Sequence, residues 1–324
     1  MAAARWGARL AAAALIVASV VGCSPPEPDS AGPDVRLLVP SLAGGGYDLT
    51  ARSAAQVLRR DGIVDDVEVF NVAGSGGIVG LARTVRETGN ENLLLVMGLG
   101  LVGALNSLPS HYSLSDTTPI ARMVEEPEAV LVPAASPYAS VRDLQSRWAQ
   151  DPASVIIGGG STEGGPDHLL ALEIADATGI ARTDLDYRRY EGGGDLLPAL
   201  LTGEVDAATT GISEYLDQIR SGAVRVLAVA SRDRSPAVDA PTLREQGIDI
   251  ALSNWRGFVA PPGVSTSGLD HISRVVHELR TSPRWRQVLE RNGWSDAYLP
   301  GAEFGAFLAA QNASVARTLR GPDH

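Results

Sequence analysis

Val39 to Arg52 read VPSLAGGGYDLTAR, a strand end, a glycine loop and a helix start in succession. The apolar run Val35 to Val39 predicts a short buried strand, which Pro40 stops. Gly44, Gly45 and Gly46 predict a tight loop, and Asp48 opens a helical pattern that runs to about Arg60. Successive glycines admit positive φ and let the backbone approach a partner with no Cβ between them. The helix behind them turns its free N–H groups and positive dipole end into the loop. Strand, loop and helix start together make a receptacle for an anionic group. Asp48 is expected to be the N-cap, its carboxylate accepting one orphan N–H bond. Standing alone, the pattern describes equally well a βα turn with a capping Asp and no ligand.

It recurs. Val67 to Asn71 predicts a second strand, followed by AGSGGIVG from Ala73 to Gly80 and helical sequence to about Thr88. Val155 to Ile157 predicts a third, followed by GGGSTEGG from Gly158 to Gly165 and a helix from about Pro166. Three such cradles point to one ligand held by several backbone loops.

Residues 1–22 read as a lipoprotein signal peptide. Arg5 and Arg9 form a basic region, Leu10 to Val21 an apolar one, and Val20-Val21-Gly22 precede Cys23, the single cysteine of the chain. Lipidation of Cys23 is expected, with residues 23–33, SPPEPDSAGP after the cysteine, forming a Pro-rich tether from membrane to fold. A cleaved secretory signal with an incidental cysteine is the alternative. The remaining chain of about 300 residues suffices for two ordinary domains. Losing Arg5 and Arg9 takes the formal charge from −11 to −13, and the basic residues are all arginine. An acidic exported protein is a poor nucleic-acid binder. With no second cysteine to pair, stability must come from the core.

Short apolar strands alternate with helical segments through the rest, the signature of a mostly parallel α/β sheet. Further strands are expected at Leu93 to Met97, Leu185 to Tyr190, Val205 to Thr209, Val224 to Ala230 and Gly257 to Ala260. A long extended run leads from Pro119 to Val132. Helices are expected at Val141 to Trp148, His168 to Ala177, Leu196 to Leu201 and Ser213 to Arg220, and from about Ser267, Pro283 and Ala302. Gly74-x-Gly76-x-x-x-Gly80 resembles a dinucleotide fingerprint, but the next strand ends in Met97-Gly98 where an acidic residue is required. Around Ser75 and Ser161 the serine-hydrolase elbow fails, at Ala73 and Glu163 respectively. The five histidines show no metal-ligand spacing. The carboxylates are expected on solvated helix surfaces. No catalytic residue, metal or cofactor is expected.

Eight strings in order resemble the solute-binding proteins of tripartite tricarboxylate transporters, the TctC-like or Bug family. They are GGGYD at Gly44 to Asp48, AGSGG at Ala73 to Gly77, GGGSTEGGPDH at Gly158 to His168, and YEGGG at Tyr190 to Gly194. LTGEVDA at Leu201 to Ala207, VLAV at Val226 to Val229, PTLREQG at Pro241 to Gly247 and WRGF at Trp255 to Phe258 complete the set. The resemblance spans the mature chain and implies a periplasmic-binding-protein-like α/β fold of two lobes (Venus flytrap, type II). Lobe 1 is expected over 34–132 plus 256–324, and lobe 2 over 133–255. It further implies an extracytoplasmic receptor, monomeric and anchored to the membrane's outer face, that captures a small organic carboxylate for the large and small membrane subunits of such a transporter. A ligand-presenting sensor and an exported enzyme are the alternatives.

The candidate ligand-binding residues are Gly44, Gly45, Gly46, Tyr47, Asp48, Gly74, Ser75, Gly76, Gly77, Gly160, Ser161, Thr162, His168 and Tyr190. Gly46-Tyr47 stands where many family members carry Pro-Ser or Pro-Thr, which resembles the tricarboxylate-binding branch and favours a citrate-like or dicarboxylate ligand. Tyr47 offers a ring wall and a phenolic donor, or is a core aromatic under the loop. His168 is a carboxylate donor or a helix-surface residue, and Tyr190 a contact or a strand-end aromatic. Trp255 reads as a packing residue. Arg256 is either a neutraliser of ligand charge or, like the other arginines, a surface position.

Overall fold

The computed structural model describes residues 34–321. The expected signal peptide, Cys23 and the expected tether lie outside them. Strand β1 (Val35–Val39) leads through α1 (Gly46–Arg60) to β2 (Val67–Asn71). A 3-10 turn at Ser75–Gly77 enters α2 (Ile78–Arg86), which is followed by β3 (Leu93–Gly98) and α3 (Leu99–Ser107). The long β4 (Thr118–Pro133) carries the chain into α4 (Val141–Gln150), β5 (Ile156–Gly159), α5 (Pro166–Thr178), β6 (Asp186–Arg189) and α6 (Gly193–Thr202). β7 (Ala207–Gly211), α7 (Leu216–Arg220) and β8 (Val224–Val229) follow. The chain returns along β9 (Ser253–Ala260) and ends with α8 (Thr266–Thr281), α9 (Pro283–Asn292), β10 (Ser295–Pro300) and α10 (Gly301–Arg320). The α/β class and the expected strand–helix order hold. β10 was not foreseen, and the helix expected at Ser213 to Arg220 is a 3-10 turn (Ile212–Tyr215) running into the short α7.

The ten strands form one sheet, eight of them along the path β2-β1-β3-β9-β4-β7-β5-β6, with β8 and β10 attached off the path to β4. Parallel pairing is confined to the strands linked by crossover helices, β1 with β2 and β3, and β5 with β6 and β7. Every strand beside β4, and β3 beside β9, is antiparallel. β4 changes partners midway: Thr118 to Pro127 pair with β9, and Glu128 to Leu131 pair with β7. Pro127, which has no N–H to give a ladder, stands at the change.

Side-chain alternation sorts the core onto the two faces of the sheet. In the half built on β1, Val35, Leu37, Val39, Leu94 and Val96 pack against α1, α8 and α9. Leu38, Leu93, Leu95 and Met97 face the other way, onto α3 and α10. In the other half, Val130, Val132 and Ile157 meet α4 and α5, while Ala129, Leu131 and Ala208 meet α6. Each fully buried aliphatic side chain contributes about 1.5–3 kcal/mol. α3 is apolar all round and buried accordingly, with Leu99, Leu101, Val102 and Ala104 inaccessible. Among the described residues no helix is long and apolar enough to cross a membrane.

Candidate functional site

A cavity of about 800 Å³ opens where the glycine loops converge. Its lining includes Pro40 to Tyr47 before and at the start of α1, Ala73 to Gly77 before α2, and Gly160 to Glu163 with Pro166 and Asp167 at the start of α5. A fourth segment of the same build also lines it: β6, Glu191 to Gly194, then Asp195 in the first turn of α6. The expected three cradles are therefore four.

Each loop gets its shape from a different device. Gly74, Ser75, Gly76 and Gly77 all have positive φ, and Ser75, at 47°, is the one non-glycine residue in that region among the described residues. A side chain at Gly76 would put its Cβ 2.6 Å from that of Ala104 on α3, so the loop lies directly on the helix. Gly45, by contrast, has φ −82° and is itself the N-cap of α1, which begins at Gly46. Asp48 is thus not the cap. It sits two residues further in, buried, and its Oδ2 accepts the Gly44 N–H at 3.0 Å and the Arg52 Nε–H at 2.8 Å. Oδ1 accepts from Asn71 Nδ2 at 3.0 Å. Burial raises the Asp48 pKa, but these donors outweigh it and hold the carboxyl below its ordinary value.

The start of α5 repeats the arrangement with a histidine. His168 Nδ1 accepts the Gly164 N–H at 3.1 Å, the ring packs 4.8 Å from that of Tyr187, and burial keeps its pKa low. Asp167 Oδ2 accepts the Gly160 N–H at 2.6 Å. Asp48 and His168 therefore shape their loops from behind, and neither lines the cavity. Tyr190 also stands outside the lining, its hydroxyl donating to Glu204 at 2.8 Å. Tyr47 does line it, and packs on the core as well; its hydroxyl accepts the Leu101 N–H at 3.0 Å, which caps the start of α3. Burial is the main cause that pushes this phenol up to about 12. The other candidates, Gly44, Gly45, Gly46, Gly74, Ser75, Gly76, Gly77, Gly160, Ser161 and Thr162, are brought together around the cavity.

Charge inside the protein is the feature the sequence did not announce. Arg256 on β9 lines the cavity at 3% exposure and pairs its Nη2 with Glu126 on β4, itself 1% exposed. Among the described residues Nη1 of Arg256 meets no acceptor. The guanidinium lies on Gly46, where an added Cβ would come 2.8 Å from Cζ. That close approach is the physical reason for a glycine in the first turn of α1. The surface reading of Arg256 fails, and the expectation that carboxylates lie on solvated helices fails for Asp48, Glu126, Glu128 and Asp167, which are buried. Among the described residues neither oxygen of the fully buried Glu128 finds a hydrogen-bond partner, Asp167 is buried, and Glu214 faces the cavity with Oε2 accepting the Gly193 N–H at 3.0 Å. Desolvation comes first in raising each pKa, with neighbouring acids second. Asp167 is pushed up to about 7, aided by Glu214; Glu128 goes well up, aided by Asp167 and Glu126; Glu214 rises, aided by Glu126.

These shifts set a pH profile. A carboxyl with a raised folded pKa binds more protons in the folded state, so it costs stability as pH climbs from about 4 through 7. Glu173, half-buried and also pushed up to about 7, acts the same way. Asp48 and Glu87, held low, act oppositely and lose their contribution only as pH falls below about 4. The melting temperature should therefore peak near pH 5 and fall by about 5 °C, or ~2 kcal/mol, by pH 8. Scanning calorimetry across that range checks this, and a maximum at pH 7 or above would refute it.

Comparison with known proteins assigns the chain. The family model of the tripartite tricarboxylate transporter family receptor, TctC, matches residues 50–319. Protein BugT of Bordetella pertussis (strain Tohama I) is 31% identical over 255 residues, 75% of this chain and 75% of that one. Two solved structures share the fold. MatC of Rhodopseudomonas palustris with bound malate is 22% identical, with TM-score 0.77 over 88% of this chain and 98% of that one. An R. palustris protein with adipate is also 22% identical, with TM-score 0.81 over 90% and 99%. The family and the fold are those of substrate-binding receptors and not of enzymes. The chain belongs to the TctC family of extracytoplasmic solute-binding receptors.

Proposed function

We propose that this receptor captures a small organic carboxylate between two lobes and delivers it to the large and small membrane subunits of a tripartite tricarboxylate transporter. The observation that carries the reading is the convergence of four glycine-loop helix starts on one cavity. Among the described residues no acceptor meets the Gly46 or Tyr47 N–H, and α6 likewise leaves Gly194 and Asp195 N–H groups for a ligand oxygen. Oriented amides bind a carboxylate even in an acidic protein, because local dipoles outweigh distant screened charge. The malate and adipate bound in the two R. palustris proteins are carboxylates of suitable size.

The proposed hinge is the partner change in β4 at Pro127, so that residues 34–127 with 253–324 form one proposed lobe and residues 128–252 the other, Glu128 to Val132 going with the strands β7 and β8 they pair with. A citrate-like ligand would bring three charges to a lining that already holds Glu163, Asp167, Asp195 and Glu214. A ligand with fewer negative charges suits it better. Cys23 would carry the lipid anchor, and Cys23→Ser should then abolish labelling by a fatty-acid probe; retained labelling would remove the anchor from the proposal. Binding itself is tested by thermal shift with organic acids of two to six carbons. A ligand at a hundredfold excess over Kd should add ~2.7 kcal/mol and raise the melting temperature by about 5–10 °C. No shift with any acid of the series would overturn the receptor reading.

A further inference from the structure

Two carboxyl groups meet behind the third glycine loop with no cation to share. The pairs Ile157–Ala207 and Gly158–Ala208 bring Gly159 beside Thr209 one step on, and Thr209 pairs with Val130, two residues from Glu128. Residues at this spacing share one face of the sheet, the face that α5 covers. A Cβ on Gly159 would collide with the Tyr187 hydroxyl and lie 2.9 Å from the Asp167 Cβ, so a bare position seats both side chains. Asp167 is 5% exposed and lines the cavity, and Glu128 is wholly buried behind it. Among the described residues neither Glu128 oxygen, nor the Tyr187 hydroxyl, nor Thr209 Oγ1 finds a hydrogen-bond partner. Arg189 and Arg256, the cations of the lining, are paired with Glu191 and Glu126. Neighbouring carboxyls without a counter-ion cannot both ionise, and a further negative charge beside them is costly. A ligand carboxylate entering the cavity is such a charge.

We propose that the receptor takes up one proton from solvent with each carboxylate it binds, and that Asp167 holds this proton on Oδ1. This rests on the receptor reading above and adds a second species bound at the same site. Oδ2 is committed to the Gly160 N–H at 2.6 Å, which leaves Oδ1 for the proton. The N–H groups of Ser161 and Thr162 line the cavity and, among the described residues, meet no acceptor. The Ser161 hydroxyl accepts the Asp167 N–H at 3.2 Å, so an anion received at this loop comes close to the carboxyl. The groups that face Asp167 favour its neutral form. Glu128 on β4, Tyr187 on β6, and Glu214 with Tyr215 on the turn after β7 are all acids. Glu163 on its own loop is another, and His168 beside it is kept neutral by burial. Arg256 on β9 is neutralised by Glu126, and α3 brings no titratable side chain. α10 meets α5 through Thr318 and Glu173, nearly two turns further on. Desolvation, aided by Glu214, already pushes Asp167 up to about 7. An anion beside it raises that value further, so between the free and bound values binding draws in a proton, and affinity falls as pH climbs.

Calorimetry in buffers of different ionisation enthalpy counts the protons. Malate, succinate, glutarate and adipate serve as probes between pH 6.5 and pH 8, where these acids are themselves ionised. At pH 7.5 wild type should take up about three-quarters of a proton per bound acid, and Kd should rise about eightfold across the range. Asp167→Asn keeps an acceptor for the Gly160 N–H; it should bind without proton uptake, its Kd changing by less than about twofold. Glu128→Gln mimics a group that stays neutral throughout and should keep the uptake. Circular dichroism checks folding. If Asp167→Asn does not fold, carbon-13 NMR of the wild-type aspartate carboxyls replaces it, and one signal titrating near pH 7 should move to higher pH with the acid bound. Binding without uptake overturns this inference and leaves the receptor reading standing. So does uptake that persists in Asp167→Asn or vanishes in Glu128→Gln, or an aspartate signal that the bound acid leaves in place. Binding of none of these acids overturns both.

Discussion

Arg256→Met is expected to destabilise the protein by about 3–5 kcal/mol and to remove ligand binding. Methionine fills much of the arginine's volume, so the effect reports charge more than packing. The loss leaves Glu126, 1% exposed, without the cation that neutralises it, and breaking a buried pair from one side carries a penalty of that size. Arg256 also helps hold down the pKa values of Glu128 and Glu214. Without it both rise further, and because a raised carboxyl pKa costs stability as pH increases, the deficit should be larger at pH 8 than at pH 5. Adding Glu126→Gln should restore most of the stability and none of the binding. Urea unfolding of the single and double variants at both pH values gives the answer. A deficit under 1 kcal/mol at pH 8 would mean that the pair is open to water.

Gly103→Ala is the second large effect, and it runs against helix propensity. Alanine should favour an isolated helix by about 1 kcal/mol. In the folded chain, however, a Cβ on Gly103 would overlap the carbonyl group of Gly164 and lie 2.9 Å from the Gly165 nitrogen. Both sides of that contact are backbone, and the Gly164 N–H is fixed by His168. α3 and the loop before α5 must separate, at about 1–3 kcal/mol for an overpacked contact. Since the two belong to the two proposed lobes, the variant should also resist closure. Ligand affinity should fall at least tenfold, and small-angle scattering with saturating ligand should give a larger radius of gyration than wild type. Wild-type scattering and affinity would show that this contact yields.

What could be read from residues alone was what residues decide locally. The strand–glycine–helix units were legible at Gly44 to Gly46, Gly74 to Gly77 and Gly160 to Thr162 because turn chemistry, apolar runs and helix starts are short-range. The fourth unit carries the same local signal, a strand followed by Gly192, Gly193 and Gly194, and it meets the cavity through Glu191 to Asp195, just beyond Tyr190. Asp48 was misplaced as a cap because a glycine, Gly46, takes the first helical position, and cap preference cannot register that. The interior charges were hidden for a deeper reason. Glu126 and Arg256 are 130 residues apart and meet only through the antiparallel register of β4 and β9. Charged residues are seldom fully buried unless paired, and a sequence does not display the partner. Glu126 and Glu128 did leave one trace, alternating on a strand whose other positions are mostly apolar.

Arg256 has one more neighbour. Its guanidinium lies 5.4 Å from the ring centroid of Trp294, an aromatic in the core beyond the cavity. An excited indole shifts electron density across its rings, so its emission colour responds to a nearby cation. A carboxylate that draws on Arg256 alters the field at that indole, whereas Trp148 lies in the separate core of the other half and Trp285 has no such cation over its ring among the described residues. The chain thus carries its own dye: occupancy of the cavity should be readable as a change in the spectrum of light from Trp294, in unmodified protein and in real time.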